Sequence, residues 1–327
     1  MIQNLHINLY AQRKAAGRTC FRQPFLFIAC IFFCFICITL FSCRTTDVNK
    51  PCIPVPDSAL FPYDAAKIEW QPVSAGMDVF VHKDRKNSIM YEIVRIDLAN
   101  PALSVFSMKS KPEWQKSTTV KAFAKRTNAD VAINTSPFYI KNYILPWSKV
   151  RPCGLVVSCG EVLVPPDERY CAIAFYKEEC GFSAQIYDSQ TEVLLEERIP
   201  FEAAGGFWTI FRDGNIRQFN NIKDVRSAAA TADDGRTLYL FAGTNLTYGE
   251  CAVIFQKLGT DTAMEFDGGS STQLVINGKN TIRQSVQRSV CAVIGFFIKK
   301  SEQCNNITLL GLRAQFDYSS ISFNPAF

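Results

Sequence analysis

At 327 residues, 48% of them hydrophobic and with a formal net charge of +5, the chain can bury a sizeable core as one large domain or two small ones, which excludes a disordered protein. The charge is local: Arg13, Lys14, Arg18 and Arg22 lie in residues 1–42, which hold no acid, and without those four the 35 basic residues come within one of the 30 acidic ones. No global basic field argues for nucleic acid, and because His6 and His82 are the only histidines, a His-based triad or His-rich metal site is excluded too.

Those four basic residues precede an uncharged run from Pro24 to Phe41 that ends Leu40-Phe41-Ser42-Cys43. The segment resembles a bacterial lipoprotein signal, which implies that Cys43 is lipidated and becomes the mature N-terminus. The alternative is an uncleaved helical anchor, since the run approaches the length that spans a bilayer. Both readings place a membrane-anchored, extracytoplasmic protein in the bacterial cell envelope, held by an N-terminal lipid or helix. Residues 43–66 are polar, proline-rich and aperiodic and read as a flexible tether. Residues 67–327 are then the folded domain. Beyond Cys43 there remain Cys52, Cys153, Cys159, Cys171, Cys180, Cys251, Cys291 and Cys304, an even number in a compartment that permits disulfides, without the C-x-x-C spacing of a zinc site. Cys251 and Cys291 sit in apolar runs and read as buried thiols.

A strand rhythm begins at Tyr91. Tyr91 to Leu98 and Leu103 to Met108 alternate on either side of Asn100-Pro101 and suggest a hairpin or meander. Ser117 or Thr118 caps a helix through Lys125, and Ala129 to Asn134 is the next strand. Gly154 to Val164 reads as two strands around Cys159-Gly160, and Ala172 to Tyr176 as another, whereas Lys177 to Glu197 is poorly patterned. Asp213-Gly214, Asp234-Gly235 and Asn277-Gly278 are hairpin turns. Glu250 to Leu258 is a helix stopped by Gly259, Met264 lies in a strand, and Cys291 to Ile298 is the last strand. The pattern predicts an α+β fold, a large mixed, mostly antiparallel β-sheet with a few packed helices.

Asp267 is the most informative residue, because an apolar strand delivers it into Gly268-Gly269-Ser270-Ser271, where glycines let backbone amides approach a ligand. Asn134, Gly206, Arg226 and Arg288 also follow or interrupt apolar strands. Arginine grips phosphate through paired N–H groups while Asn and Asp grip hydroxyls, so the inventory suits a phosphate on a polyhydroxylated group. Taken alone, an Asp-Gly-Gly is an ordinary turn and Asn134 a turn residue.

In their order along the chain these segments resemble the phosphodiester glycosidase family over residues 91–298. Ala132-Ile133-Asn134-Thr135-Ser136-Pro137-Phe138 is similar to the family's Ala-Ile-Asn-Gly-Gly-x-Phe, and Gly205-Gly206-Phe207 to its Gly-Gly-Pro. Val225-Arg226-Ser227-Ala228 is similar to Pro-Arg-Thr-Ala, Phe266-Asp267-Gly268-Gly269-Ser270-Ser271 to Leu-Asp-Gly-Gly-Gly-Ser-Ser, and Gln287-Arg288-Ser289-Val290 to Glu-Arg-Pro-Val. Thr135, Ser136 and Ser270 stand where the family has glycine, and the prolines are absent at Val225 and Ser289.

The resemblance implies hydrolysis of a sugar-1-phosphodiester at the anomeric carbon, releasing sugar and a phosphomonoester, with a sugar-phosphate or cell-envelope glycan as partner. A phosphate leaving group is weakly basic, so arginines can stabilise its charge where a glycosidase usually needs a second carboxylate. The expected roles are Asp267 and Glu265 as catalytic carboxylates, with Asn134, Gly206, Arg226, Gly268, Gly269, Ser270, Ser271 and Arg288 binding substrate. Glu265 is two residues before Asp267 and so shares its strand face; a structural pair to arginine is its other reading. No cofactor is expected, although a calcium site of carboxylates and carbonyls leaves little trace in spacing. The alternative function is a carbohydrate or cell-wall binding module of the same fold without turnover, consistent with the replaced glycines.

Overall fold

The strand Ile89–Asp97 shows how the sequence builds layers: Tyr91 and Ile93 point to one face, Val94 and Ile96 to the other, and all four are fully buried. A strand covered on both faces must lie inside a stack. The computed structural model describes residues 56–142, 148–217, 219, 222–282, 284 and 287–299. Its eight-stranded sheet runs Gln71–Ser74, Met77–Asp84, Ile89–Asp97, Thr237–Leu246, Asp224–Ala232, Thr262–Glu265, Thr209–Arg212 and Asn215–Ile216. One five-stranded sheet is ordered Lys279–Asn280, Leu274–Ile276, Val131–Asn134, Val293–Ile298, Leu103–Ser107. The other is ordered Phe182–Tyr187, Ala172–Lys177, Glu202–Gly205, Val156–Ser158, Glu161–Val164, and Phe138–Ile140 pairs with Val150–Pro152 as a ribbon. Every strand pairing among the described residues is antiparallel.

The inner core lies between the sheets. Val94, Ile96, Leu240 and Met264 of the eight-stranded sheet meet Ile133 and Phe296 of one five-stranded sheet and Ile173 and Phe175 of the other. On the opposite face Ile93, Ala228, Ala230, Phe241 and Ala263 pack against Cys251, Ile254 and Phe255 of the helix Tyr248–Leu258. That helix is fixed at both ends: Thr247 and Glu250 form a reciprocal capping box, and Gly259 closes it with φ 76°.

The α+β reading holds, with the strands divided among three main sheets. The helix expected through Lys125 spans Val120–Thr127 and is capped by Thr119, whose hydroxyl accepts from Ala122 N. The Asp213-Gly214 and Asn277-Gly278 turns have positive φ at both residues, the geometry that matches strand twist in a two-residue hairpin.

Three expectations are corrected. Ile89–Asp97 and Leu103–Ser107 do not pair with each other; they lie in different sheets, so Asn100-Pro101 is a crossover between layers. The poorly patterned interval contains the strand Phe182–Tyr187 and the helix Gln190–Leu195. The folded body begins before residue 67: Leu60 and Phe61 are buried, and Leu60 O accepts a hydrogen bond from Tyr91 Oη at 2.9 Å. Composition alone did not register those two apolar residues among their proline and acidic neighbours. Residues 1–42 and Cys43 lie outside the described residues, as do Cys52 and Cys304. Among the described residues no helix is long and apolar enough to cross a membrane, and Cys153, Cys159, Cys171, Cys180, Cys251 and Cys291 are free thiols.

Candidate active site

The Thr262–Glu265 strand lies between Asp224–Ala232 and Thr209–Arg212, and where it ends the chain enters Phe266-Asp267-Gly268. Asn134, ending a strand of the neighbouring sheet, ties this turn down. Its Nδ2 donates to Asp267 O at 2.6 Å, while its Oδ1 accepts from Ser227 Oγ at 3.0 Å and from Gln273 N at 2.9 Å. Asp267 N in turn donates to Thr135 O at 2.9 Å. Asn134 is 1% exposed, so its side chain acts as a clamp between sheets.

Asp267 is 6% exposed, and its Oδ2 accepts from Arg288 Nη2 at 3.3 Å. Burial raises the carboxyl above its ordinary value, and hydrogen bonding from Ser271 and the charge of Arg288 oppose the rise. Arg288 is aimed by two further contacts: its Nε donates to Ser271 Oγ at 2.5 Å, and its guanidinium lies 4.9 Å from the Phe138 ring centroid. Ser270 fixes the same arginine through its carbonyl, which accepts from Arg288 N at 3.0 Å.

Arg226 approaches from the other side. Its Nε donates to Leu246 O at 2.9 Å and its Nη2 to Ile222 O at 2.5 Å, while the guanidinium lies 3.9 Å from the Tyr248 ring centroid. These contacts leave the Nη1 side facing Gly268, where a Cβ would sit 4.0 Å from Nη1 and 2.9 Å from Val225 O. The missing side chain at Gly268 therefore lets the turn pack against the Val225 carbonyl, close beside this cation. Chain segments far apart in sequence thus bring a carboxylate and two guanidinium groups around one glycine turn.

Two expected residues are placed differently. Glu265 is fully buried on the face covered by Tyr248–Leu258, and neither carboxyl oxygen has a protein donor meeting hydrogen-bond geometry; the Cys251 thiol, a weak donor, sits beside it. Burial raises this carboxyl to about 8, with the Arg226 charge opposing the rise. Gly206 is held by packing: a Cβ there would fall 2.5 Å from Glu265 O and collide with the end of Met264.

Sequence reasoning missed Asp224 and Tyr248. Asp224 Oδ2 lies 3.4 Å from the position of a Cβ on Gly269, and its Oδ1 accepts from Val225 N at 2.7 Å. It stands two residues before Arg226, across an irregularity in strand register, and bulges of that kind re-aim side chains beside sites. The readable signal was the spacing Asp224-x-Arg226. Tyr248 follows the cap Thr247, and Thr247-x-x-Glu250 is itself a visible capping motif. Among the described residues no group of three or more His, Cys, Asp or Glu is placed to hold a metal ion.

The family profile of phosphodiester glycosidases matches residues 127–297, just over half of the chain and the stretch that holds Asn134, Arg226, Asp267 and Arg288. The chain belongs to the phosphodiester glycosidase family. Solved structures agree on the fold. The zebrafish N-acetylglucosamine-1-phosphodiester alpha-N-acetylglucosaminidase catalytic domain, auto-inhibited by its pro-peptide, is 18% identical with a TM-score of 0.51, over 70% of this chain and 84% of that one. A hypothetical protein from Synechocystis is 16% identical with a TM-score of 0.51 over 68% of this chain, which spans only 62% of that protein. A putative exported protein from Burkholderia pseudomallei is 12% identical with a TM-score of 0.50, over 64% of this chain and 74% of that one. No curated protein matches the chain.

Proposed function

We propose that this phosphodiester glycosidase is an envelope-tethered hydrolase of sugar-1-phosphodiesters, anchored through Cys43 or the preceding apolar run. The observation that carries the reading is the convergence of Asp267, Arg288 and Arg226 around Gly268. The arginines would hold the phosphate and stabilise its charge as the anomeric C–O bond breaks, so little protonation of the leaving oxygen is needed. Asp267 would act as base on water or stabilise the oxocarbenium-like centre, and burial, by raising its affinity for a proton, makes it a stronger base than a free carboxylate. Asp224, on the far side of Gly269, takes over from Glu265 as the best second carboxylate.

The enclosure of Glu265 favours a second reading, a glycan-binding module of this fold without turnover. The two separate in one assay: phosphomonoester release from an N-acetylglucosamine-1-phosphodiester by the purified chain, with Asp267→Asn alongside. Release by the wild type that drops at least about a hundredfold in the variant, the scale of losing one acid–base group, supports the hydrolase. Saturable binding without release selects the binding module, and wild-type turnover in Asp267→Asn removes that residue from the chemistry.

A further inference from the structure

Gly206 leads the chain directly into two adjacent aromatic residues, Phe207 and Trp208, where the resembled family has Gly-Gly-Pro. The backbone fixes both against the site: Phe207 N donates to Glu265 O at 2.7 Å, and Glu265 N donates to Trp208 O at 2.9 Å. Cys171 N donates to Phe207 O at 3.4 Å, which brings Tyr170 alongside. The three rings touch one another. Phe207 stacks on Trp208 at 5.8 Å and 26°, Tyr170 meets Phe207 edge-on at 5.7 Å and 75°, and Tyr170 lies 5.9 Å from Trp208.

Such a cluster ordinarily closes into a core, yet Trp208 remains 38% exposed. It also borders the anion side of the site, since Trp208 lies close enough to Tyr248, the ring on which Arg226 lies, to lower the Tyr248 pKa against the rise caused by burial. A single tyrosine therefore separates an open indole from a guanidinium.

We propose that Tyr170, Phe207 and Trp208 form the subsite that seats the sugar ring of the substrate, a pyranose whose anomeric phosphate reaches Arg226. The inference rests on the reading above and names the part of the protein that would choose the sugar. A pyranose presents a C–H face that packs on aromatic rings and an edge of hydroxyls that needs polar partners. Both are supplied here: Arg169 lies 5.4 Å from the Tyr170 ring centroid and is bound to Asp167 by its Nε at 2.9 Å and Nη2 at 2.7 Å, so a charged pair borders the rings. A purely hydrocarbon aglycone would gain nothing from that border and would leave its charges to be desolvated.

The test is ligand titration of the full chain and of Trp208→Ala and Trp208→Phe, with methyl N-acetylglucosaminide, inorganic phosphate and butyl phosphate as probes. Trp208→Ala is expected to weaken methyl N-acetylglucosaminide about tenfold, the scale of one lost aromatic contact. Trp208→Phe should restore part of that loss, and phosphate affinity should stay unchanged in both variants. Equal glycoside affinity in wild type and Trp208→Ala, no glycoside binding by the wild type, or a loss confined to butyl phosphate would each overturn the subsite. Glycoside binding through Trp208 without any hydrolysis would sink the enzyme reading and keep this one; hydrolysis with an unaltered KM in Trp208→Ala would do the reverse.

Discussion

Glu265 is where residue-scale reasoning diverged furthest from the structure. Its spacing from Asp267 put both on one strand face, but the strand ends at Glu265, so only Asp267 turns into the site. What covers Glu265 is the helix Tyr248–Leu258, and the fold, not the local sequence, decides where that helix lies. The consequence is measurable. The folded chain holds the Glu265 proton up to about pH 8, whereas the unfolded chain releases it near the ordinary value of 4.5. Between those values the folded state binds more protons, so this group's stability contribution is full below about 4.5, falls as pH rises, and levels off above about 8. For one group the fall is roughly 1.4 kcal/mol per pH unit at its steepest. Glu265→Gln keeps the shape and removes the titration. Denaturant unfolding at pH 5, 7 and 9 should show a flatter profile for the variant and a higher stability than wild type at pH 9. Parallel profiles would mean that the carboxyl is ionised in the folded chain.

At the scale of elements, the sequence was readable wherever local chemistry sets a boundary. Gly259 ends one helix and Asp-Gly or Asn-Gly turns fix three hairpins, whereas the cap expected at Ser117 or Thr118 falls at Thr119 and the helix expected through Lys125 runs to Thr127. Partners were not readable, because Leu103–Ser107 alternates just as it would beside Ile89–Asp97 yet pairs with Val293–Ile298, far along the chain. Gly206 shows the same limit at one position. Its place where small residues end an apolar strand suggested a substrate-binding glycine, while the structure shows the approach of another strand. The carbonyl of Glu265, which a Cβ would strike, also receives the Phe207 N–H. Met264 has a flexible end that can move aside; the backbone carbonyl does not. Gly206→Ala is therefore expected to lose about 1–3 kcal/mol, the usual cost of overpacking, and to lower the thermal midpoint by several degrees. An unchanged midpoint would show that the two strands can part without loss.

For the whole molecule, the decisive feature is that the candidate site sits where two sheets are joined, so its geometry and part of the fold's stability share the same atoms. Asn134 belongs to the five-stranded sheet Leu274–Ile276, Val131–Asn134, Val293–Ile298, yet accepts from Ser227 in the eight-stranded one and donates to the carbonyl of Asp267. A motif reading could place Asn134 beside the site but could not distinguish a ligand-binding amide from a structural one, since that depends on what faces it from the other sheet. Asn134→Ala would leave the Gln273 N–H and the Ser227 hydroxyl without their acceptor and the Asp267 carbonyl without its donor, all in buried surroundings. Each such group costs about 1–3 kcal/mol when stranded, so the variant should be clearly destabilised and should lose turnover as the Asp267 turn loosens. Asp267→Asn, which changes charge at nearly constant volume, should lose turnover with little loss of stability. Measuring unfolding and phosphomonoester release on both variants separates the two roles. If Asn134→Ala kept wild-type stability and only weakened substrate, the amide would be a substrate contact and the clamp between the sheets would lie elsewhere.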